Sequence, residues 1–548
     1  MNKLQKRLNV GMFWIVLFGL VLVKYGYYGF RYFPVIDDWI QYGGYPLYED
    51  IFKDVILRVG TYTTRPLASL SDPYIWGQMW EYMWAAFLII TILHFISAWL
   101  LYKVFAYNKM PVSMIFAVIY LLLPLGSEAT YWISASSRIV VGMFFMALSL
   151  YLLSLHIHVG SGEWGVGSEE KKQNTLLAGF ALTHLASFGY YEQVIILSFV
   201  SALLVIILNW SRVKNKWIVT VPFINLFIIG AYYKFFGNTG NLAQRGQVVD
   251  GKYIEHFNKV IDKISDVWGR AHLPLYTNGF RRGIEVLFHN HSYFYMILIL
   301  LMSSLACLYV INDKTDKNIK KNLLKIAIGL LLFWVPFGVN FLLKDIWISN
   351  RNAFTSFIGL GLMAEGMIST FNGGKIINYI KGLGIFAAVF IFLIVNVSEL
   401  TDYKSISEID RKICSNVVSA IQNKEFYKGR KSAIVFGTRP VYIEQNMYFH
   451  EHIHNVTESD WAFTGGVRAI AGNVKIQSVK PMHKWHAVSL KDDIWSKNIL
   501  LGIDNDLSVF PLKAASGNNG DILLSKRNGD YFGQLEKQGN GTYVLQMP

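Results

Sequence analysis

The sequence predicts an α-helical polytopic membrane protein with a small α+β domain at its C-terminus. Three observations support this prediction. Of 548 residues, 53% are hydrophobic and only 16% are charged, whereas soluble domains carry about 25% charged residues. The apolar residues form blocks of about 20, the length that crosses a bilayer as a helix. Residues 400–548 instead alternate short apolar runs with Gly-, Asn- and Asp-rich turns.

The apolar blocks predict about eleven transmembrane helices, which together form a membrane domain over residues 1–399. The first block follows the basic start MNKLQKR but lacks a small-residue cleavage site, so we expect a retained span and not a removed signal peptide. The predicted spans are 10–30, 81–102, 111–126, 138–158, 174–190, 192–210, 217–236, 292–311, 323–343, 352–371 and 382–399.

The distribution of Lys and Arg predicts the orientation of the chain. These residues concentrate in alternate short loops, as at Lys103 and Lys109 or at Arg212 and Lys214, and in the N-terminal segment. Cytoplasmic loops carry this excess. We therefore expect a cell-membrane protein with a cytoplasmic N-terminus and an extracytoplasmic domain at residues 400–548. The net charge of +14 comes mainly from these basic loops. No sequence motif predicts a nucleic-acid partner.

Two predicted outer loops are long, 31–80 and 237–291. Between Tyr253 and Trp268 the apolar residues recur with a period near that of a helix. This pattern predicts an amphipathic helix that lies on the membrane surface, in contact with membrane lipid.

In the C-terminal domain, the runs 432–437 and 541–546 predict strands, and Lys412–Asn423 predicts a helix. His450, His452 and His454 alternate, which would place all three on one face of a strand. Such a face could bind zinc, but the helical spacing of histidines typical of zinc sites is absent, so no metal site is predicted there. Residues 459–468 form either a sugar-contacting loop or a packed turn.

The most distinctive polar feature is the pair Asp37-Asp38, which follows the first predicted span directly. One interpretation is a general base at the outer membrane face, which takes a proton from an attacking hydroxyl group. The alternatives are a solvated acidic loop, or a cap for a helix that begins near Trp39.

About eleven spans, a long first outer loop that opens on Asp37-Asp38, and an outer C-terminal domain together resemble the GT-C superfamily of polyprenyl-phosphate-dependent glycosyltransferases. The resemblance implies an inverting transfer of a sugar from a polyprenyl-phosphate donor to a hydroxyl group of a cell-envelope glycan or lipid acceptor. It also implies that Asp38 or Asp37 is the catalytic base, with Asp38 preferred. Some members use Mg²⁺ or Mn²⁺, so a divalent metal is possible and no cofactor is certain.

The leaving phosphate of such a donor needs cationic partners near the outer interface, and Arg binds phosphate with two parallel hydrogen bonds. The alternative for each candidate is an interfacial side chain that extends its charge to water. The candidates, in order of preference, are Arg351, Arg65 and Arg138, followed by Arg282 and His272 of the second long loop.

Glu128 and Glu192 interrupt apolar runs at the predicted outer face. Ionisable groups at membrane depth usually face a cavity or a partner. We therefore expect each glutamate either to bind substrate or to form an ion pair with a nearby arginine.

Two other classes of function remain open. A polysaccharide or lipid-linked-sugar transporter without chemistry would show repeated halves or broken helices with sites near the membrane midplane. An assembly protein would use the outer domain for binding alone. Rossmann and Walker motifs are absent from the sequence, so a nucleotide-sugar donor is not indicated.

Overall fold

The computed structural model describes residues 3–160, 169–237, 247–312, 318–344, 346–371, 374–422, 432–443, 451–472, 474–484, 487–489, 497–517, 520–538 and 542–547. His450 and residues 238–246 of the second long loop lie outside this part of the chain.

The chain is mainly helical. Its α-helices are α1 (Lys3–Tyr25), α2 (Pro66–Ser71), α3 (Met83–Tyr107), α4 (Met114–Leu122), α5 (Ser127–Thr130), α6 (Ile133–Gly160), α7 (Glu169–Phe188), α8 (Glu192–Leu208), α9 (Thr220–Phe236), α10 (Tyr253–Ser265), α11 (His272–His289), α12 (Tyr293–Asn312), α13 (Ile319–Trp334), α14 (Gly338–Leu342), α15 (Asn350–Ala353), α16 (Phe357–Thr370), α17 (Lys375–Gln422) and α18 (Asp460–Ala471).

In the described part of the chain, 7 continuous helical segments are long and apolar enough to cross a membrane. They indicate a multi-pass membrane protein and contain α3, α6, α9, α12, α13, α16 and α17. Two shorter apolar helices, Gly11–Tyr25 and Glu192–Leu208, lie among them. Helix α4 has 9 residues and is about 14 Å long, half of a bilayer core. The number eleven therefore stays a prediction.

Close backbone contact joins α13 to α16. A methyl group at Gly359 would lie 2.2 Å from the backbone nitrogen of Phe333, and one at Gly329 would lie 2.7 Å from that of Met363. Small residues allow membrane helices to approach in this way, where packing rather than water expulsion holds them together.

The first long loop folds into a series of short helical segments, at 39–44, 45–47, 52–57, 61–63, 66–71, 72–76 and 77–82. The first begins at Trp39, as in the alternative of a capped helix, but the Asp38 side chain makes no capping hydrogen bond to it. It lies against α18 of the C-terminal domain, since a methyl group at Gly465 would come within 2.4 Å of Ile40 Cβ. The loop after Asp37-Asp38 is therefore in direct contact with the C-terminal domain.

The second long loop contains the predicted amphipathic helix, α10, followed by a wide helical turn at Asp266–Arg270. Val260 and Ile264 on this helix are buried and pack with Phe337. Tyr253 and Ile254, at its start, are exposed. Those exposed apolar side chains fit contact with lipid at the membrane surface.

Helix α17 has 48 residues and is about 72 Å long, more than twice the thickness of a bilayer core. It continues from the last apolar span into the C-terminal domain without a break. The helix predicted at Lys412–Asn423 is its final part, and the predicted domain boundary at residue 400 falls inside it.

The C-terminal domain contains a sheet of 8 strands, in the order β2-β1-β4-β5-β6-β7-β8-β3. Strand β1 is parallel to β2 and β4, and the remaining neighbours are antiparallel. The strands are β1 (Ser432–Thr438), β2 (Ser478–His483), β3 (Ala487–Ser489), β4 (Asn498–Ile503), β5 (Val509–Ser516), β6 (Ile522–Lys526), β7 (Tyr531–Lys537) and β8 (Thr542–Gln546). The predicted strands at 432–437 and 541–546 are confirmed as β1 and β8, of which β8 begins at Thr542.

Two local predictions in this domain are wrong. Residues 451–453 form a short helical turn, so His452 and His454 do not share a strand face. Residues 460–468 belong to helix α18, and form neither a sugar-contacting loop nor a packed turn. The Ser459 hydroxyl accepts from the Ala462 backbone N–H at this helix start, a capping signal that Ser-Asp before an apolar run carries.

Candidate functional site

Asp38 is buried and binds the start of α6. Its Oδ1 accepts a hydrogen bond from the Ser134 backbone N–H at 3.0 Å. Its Oδ2 accepts from the Tyr32 hydroxyl at 2.5 Å and from the Val35 backbone N–H at 3.1 Å. Burial raises the pKa of Asp38 to about 8, against the effect of these hydrogen bonds. The side chain therefore holds the first outer loop onto α6.

Asp37 occupies a different environment from its neighbour. Its side chain is only half-buried, and it lies within electrostatic range of both Arg138 and Arg351. After burial, the charge of Asp37 is the main cause that raises the pKa of Tyr45 to about 12. Of the two adjacent aspartates, Asp37 is the one placed among cations.

Arg351 lies on α15 between the membrane helices and the C-terminal domain. Its Nη2 is 3.2 Å from Oε2 of Glu451, and its guanidinium lies over the ring of Trp132, 5.3 Å from the centroid. Within the described residues, its Nε is buried and has no hydrogen-bond acceptor. Arg351 therefore retains donor capacity beyond its ion pair.

Arg65 and Arg351 line one cleft of about 70 Å³. The Nε of Arg65 donates to both carboxylate oxygens of Glu192, at 2.9 and 3.1 Å, and its guanidinium lies 4.7 Å from the ring centroid of Tyr191. Trp347 and Asn352 also line this cleft. The first outer loop, the break before α8 and the segment before α15 thus meet at one concave surface.

A second, larger cleft of about 410 Å³ lies beside the first and shares Trp347 with it. Lys263, Asp266, Glu451 and His454 supply its polar lining. The Trp347 indole N–H donates to Glu451 Oε1 at 2.9 Å. Trp347 and the Glu451 carboxylate therefore lie at the boundary between the two clefts.

Arg138 forms a largely buried ion pair with Asp72, a residue of the first outer loop. Its Nη2 lies 2.5 Å and its Nε 2.9 Å from Asp72 Oδ2. Nη2 also donates to Gln41 Oε1 at 2.9 Å. Arg138 therefore does not extend its charge to water, and a phosphate would have to compete with Asp72 for it.

Glu128 is buried and joins the membrane helices to the C-terminal domain. Its Oε1 accepts from the Glu451 backbone N–H at 2.5 Å, from the His452 backbone N–H at 3.3 Å, and contacts His452 Nδ1 at 3.2 Å. The charge of Glu128 also lies in electrostatic range of Arg351. Its carboxylate fixes the position of Glu451 and therefore of the partner of Arg351.

A buried group of Glu399, Asp402 and His452 could hold a metal ion, because one ligand atom from each lies within 4.8 Å of the others. Glu399 and Asp402 lie on α17, and His452 Nε2 is 3.8 Å from Glu399 Oε2. Asp402 also pairs with Arg282 of α11. Burial lowers the pKa of His452 to about 4, so the imidazole is neutral at physiological pH.

His272 lies apart from these groups, at the start of α11. Its ring contacts those of Trp268 and Tyr276, with centroids 5.3 and 5.2 Å away. Burial lowers the pKa of His272 to about 4. His272 was proposed from the sequence as a cationic partner of the donor phosphate. A neutral histidine packed between aromatic rings lacks the positive charge for that role.

The remaining predicted residues come together through a series of contacts. Asp37 is in range of Arg138 and Arg351, Arg351 shares a cleft with Arg65 and Glu192, and Glu451 and His452 connect this cleft to Glu128 and Arg282. The sequence analysis missed Asp72, Glu399, Asp402 and Glu451. Glu399 and Asp402 carried a usable signal, because their spacing places both on one face of a helix.

This arrangement can bind an anion and accept a proton in the same region. The arginines offer donors to phosphate oxygens, and a carboxylate with partial exposure can reach a substrate hydroxyl group. The aromatic walls, Tyr191 and Trp347, offer apolar faces to a ring or a lipid chain. No family model, curated protein or solved structure matches this chain.

Proposed function

We propose that the protein is a membrane glycosyltransferase. It moves a sugar, with inversion, from a polyprenyl-phosphate donor to a hydroxyl group of a cell-envelope glycan or lipid acceptor. The reaction takes place at the outer face of the membrane, in the cleft lined by Arg65 and Arg351. One observation carries the proposal. The half-buried Asp37 lies in electrostatic range of Arg351, and both residues lie next to the ends of apolar helices.

The position of the cleft suits a donor with a lipid tail. Arg351 lies on α15, in the same 21-residue apolar segment, Asn350–Thr370, as α16. An arginine at the end of a membrane helix meets lipid phosphates at the level where their apolar chains begin. The donor phosphate would bind at Arg351, while its polyprenyl chain extends along the apolar helices.

Glu451 competes with a donor phosphate for Arg351. Its carboxylate pairs with Arg351 Nη2, so a phosphate must either displace it or use the remaining donors of the guanidinium. Nε of Arg351 is buried without an acceptor among the residues described, and a phosphate oxygen would supply one. Arg binds phosphate best through two such parallel bonds.

In the proposed reaction, the acceptor oxygen attacks the anomeric carbon of the sugar from the face opposite the phosphate. The bond from that carbon to the phosphate oxygen breaks, and polyprenyl phosphate leaves with the electron pair. The proton of the acceptor hydroxyl passes to Asp37. Arg351 stabilises the charge that develops on the phosphate.

Asp37 takes the role of base for which the sequence analysis preferred Asp38. A base must reach the proton that it removes, directly or through one water. Asp38 is buried, and both its oxygens accept hydrogen bonds from the chain itself. Asp38 therefore positions the first outer loop, whereas Asp37 lies in electrostatic range of Arg138 and Arg351.

The experiment uses the purified full chain in lipid nanodiscs, a panel of radiolabelled polyprenyl-phosphate sugars, and a cell-envelope lipid and glycan fraction as acceptor. Release of polyprenyl phosphate together with labelled acceptor supports the proposal. Donor binding without release from any member of the panel contradicts it. Movement of intact donor across sealed proteoliposomes would instead favour the transporter hypothesis.

A further inference from the structure

We infer that Glu399, Asp402 and His452 form a binding site for a divalent transition-metal cation such as Zn²⁺ or Mn²⁺. The inference stands independently of the proposed function. One ligand atom from each of the three buried residues lies within 4.8 Å of the other two. Two ligands about 2.1 Å from a common ion in tetrahedral geometry are about 3.4 Å apart, so the three side chains would move closer together on binding the ion.

The orientation of His452 fits a metal ligand. Its Nδ1 is 3.2 Å from Glu128 Oε1, and its Nε2 is 3.8 Å from Glu399 Oε2. With Nδ1 directed at the Glu128 carboxylate, Nε2 is left on the side of the ring that faces Glu399. Metal-binding histidines are oriented by carboxylates in this way.

A divalent cation between His452 Nε2 and the carboxylates of Glu399 and Asp402 would offset the cost of burying these two carboxylates close together. The Tyr403 ring stacks on that of His452, with centroids 4.1 Å apart. Its hydroxyl is buried and has no hydrogen-bond partner in the described part of the chain, and it lies in electrostatic range of Glu399. That hydroxyl can bind the ion or a water on it.

The ion pair of Asp402 with Arg282 is compatible with the site. A carboxylate has two oxygens, so Asp402 can bind Arg282 through one and the metal through the other. The donor set of one imidazole nitrogen and two carboxylates suits Zn²⁺ or Mn²⁺ more than Ca²⁺, which takes six to eight oxygen ligands.

The site would join two parts of the fold. Glu399 and Asp402 belong to the long helix α17, and His452 belongs to the turn that also carries Glu451. A metal bound there would fix this turn to α17 and thereby hold Glu451 beside Arg351. Because all three ligands are buried, the role is structural rather than that of an open catalytic site.

The test measures metal in the purified full-length protein in detergent. The protein is stripped with a chelator, incubated separately with Zn²⁺ or Mn²⁺, freed of excess metal and analysed by mass spectrometry. We expect about one equivalent of one of the two ions. We expect less than about one tenth of that in His452→Asn and in Glu399→Gln, because each removes a ligand.

Two further variants make the test decisive. His454→Asn is the matched control, since His454 lies in the same segment but is 37% exposed, and it should bind as the wild type does. Glu128→Gln keeps all three ligands and should weaken binding about 10–100-fold. Circular dichroism of each variant verifies its fold, and Glu128→Gln carries the test if a ligand variant does not fold. Wild-type protein without either metal, or equal metal content in His452→Asn and His454→Asn, would overturn the inference in favour of a shared proton.

Discussion

Arg351 on α15 and Glu451 of the C-terminal domain form an ion pair with 3.2 Å between Nη2 and Oε2. Both side chains are mostly buried, and Glu451 is held in turn by Glu128 of the membrane domain. The C-terminal domain therefore supplies the ion-pair partner of an arginine that lines the first cleft, and Glu451 itself lines the neighbouring cleft. It forms part of the candidate site and does not merely lie beside it.

Replacing Arg351 by Lys tests phosphate recognition. The change keeps the charge but removes the planar group that bonds phosphate twice. We expect donor affinity to fall about 10–100-fold, the effect of losing a hydrogen bond to a charged group, as measured by binding of a labelled polyprenyl-phosphate sugar. Arg281→Lys is the matched control, because Arg281 is 82% exposed and pairs with Glu285 on the same exposed helix face. Equal affinities in the two variants would remove Arg351 from the site.

Asp38 should make stability depend on pH. Burial raises its pKa to about 8 in the folded protein, above its ordinary value near 4. The folded state then holds a proton that the unfolded state has lost, so its contribution to stability falls as pH rises from about 4 to about 8. Asp38→Asn lowers the melting temperature by removing an acceptor of these hydrogen bonds. The deficit relative to wild type should be larger at about pH 5.5 than at about pH 8.5. A deficit that is constant or grows with pH would contradict this account.

The pair Arg138–Asp72 should stabilise the fold as a unit. Both side chains are largely buried, and removing one charge of such a pair typically costs about 3–5 kcal/mol. We expect Asp72→Asn to lower the midpoint of thermal unfolding strongly, and the double variant Asp72→Asn, Arg138→Gln to recover part of the loss. The exposed pair Arg281–Glu285 provides the comparison, where a single change should cost about 0–1 kcal/mol. No recovery in the double variant would show that the two charges do not act together.

The predicted orientation is tested by cysteine labelling. Asn528 lies in an exposed turn of the C-terminal domain, and Lys320 lies at the exposed start of α13. A membrane-impermeant reagent should label Asn528→Cys in intact cells and Lys320→Cys only after the membrane is opened. The opposite pattern would invert the topology and place the candidate site in the cytoplasm.

The helical part of the fold was predictable because long apolar blocks and helical periods are local properties of the sequence. Every predicted span overlaps a helix. The seven long apolar segments confirm the membrane class but not the number eleven. Errors arose where short-range patterns are ambiguous: alternation at 450–454 indicated a strand, but the buried contacts of His452 favour a turn.

The partners within the site were less predictable. The sequence singled out Asp37, Arg65, Arg138 and Arg351, but their partners come from distant segments. Glu192 and Arg65 meet because the first outer loop folds back onto the break before α8. Asp38 differs from Asp37 because it is buried against the start of α6 and accepts hydrogen bonds from Tyr32, Val35 and Ser134. Contacts of this kind depend on tertiary structure, which no local pattern encodes.

The most direct test of the central claim compares sugar transfer by Asp37→Asn with that by Glu49→Gln. Glu49 is an exposed carboxylate of the same loop, and its replacement should leave the rate unchanged. Asp37→Asn should transfer sugar about 10²–10⁴-fold more slowly, the usual effect of removing a general base, while donor affinity is preserved. Transfer at the wild-type rate by Asp37→Asn, with release of polyprenyl phosphate undiminished, would contradict the account.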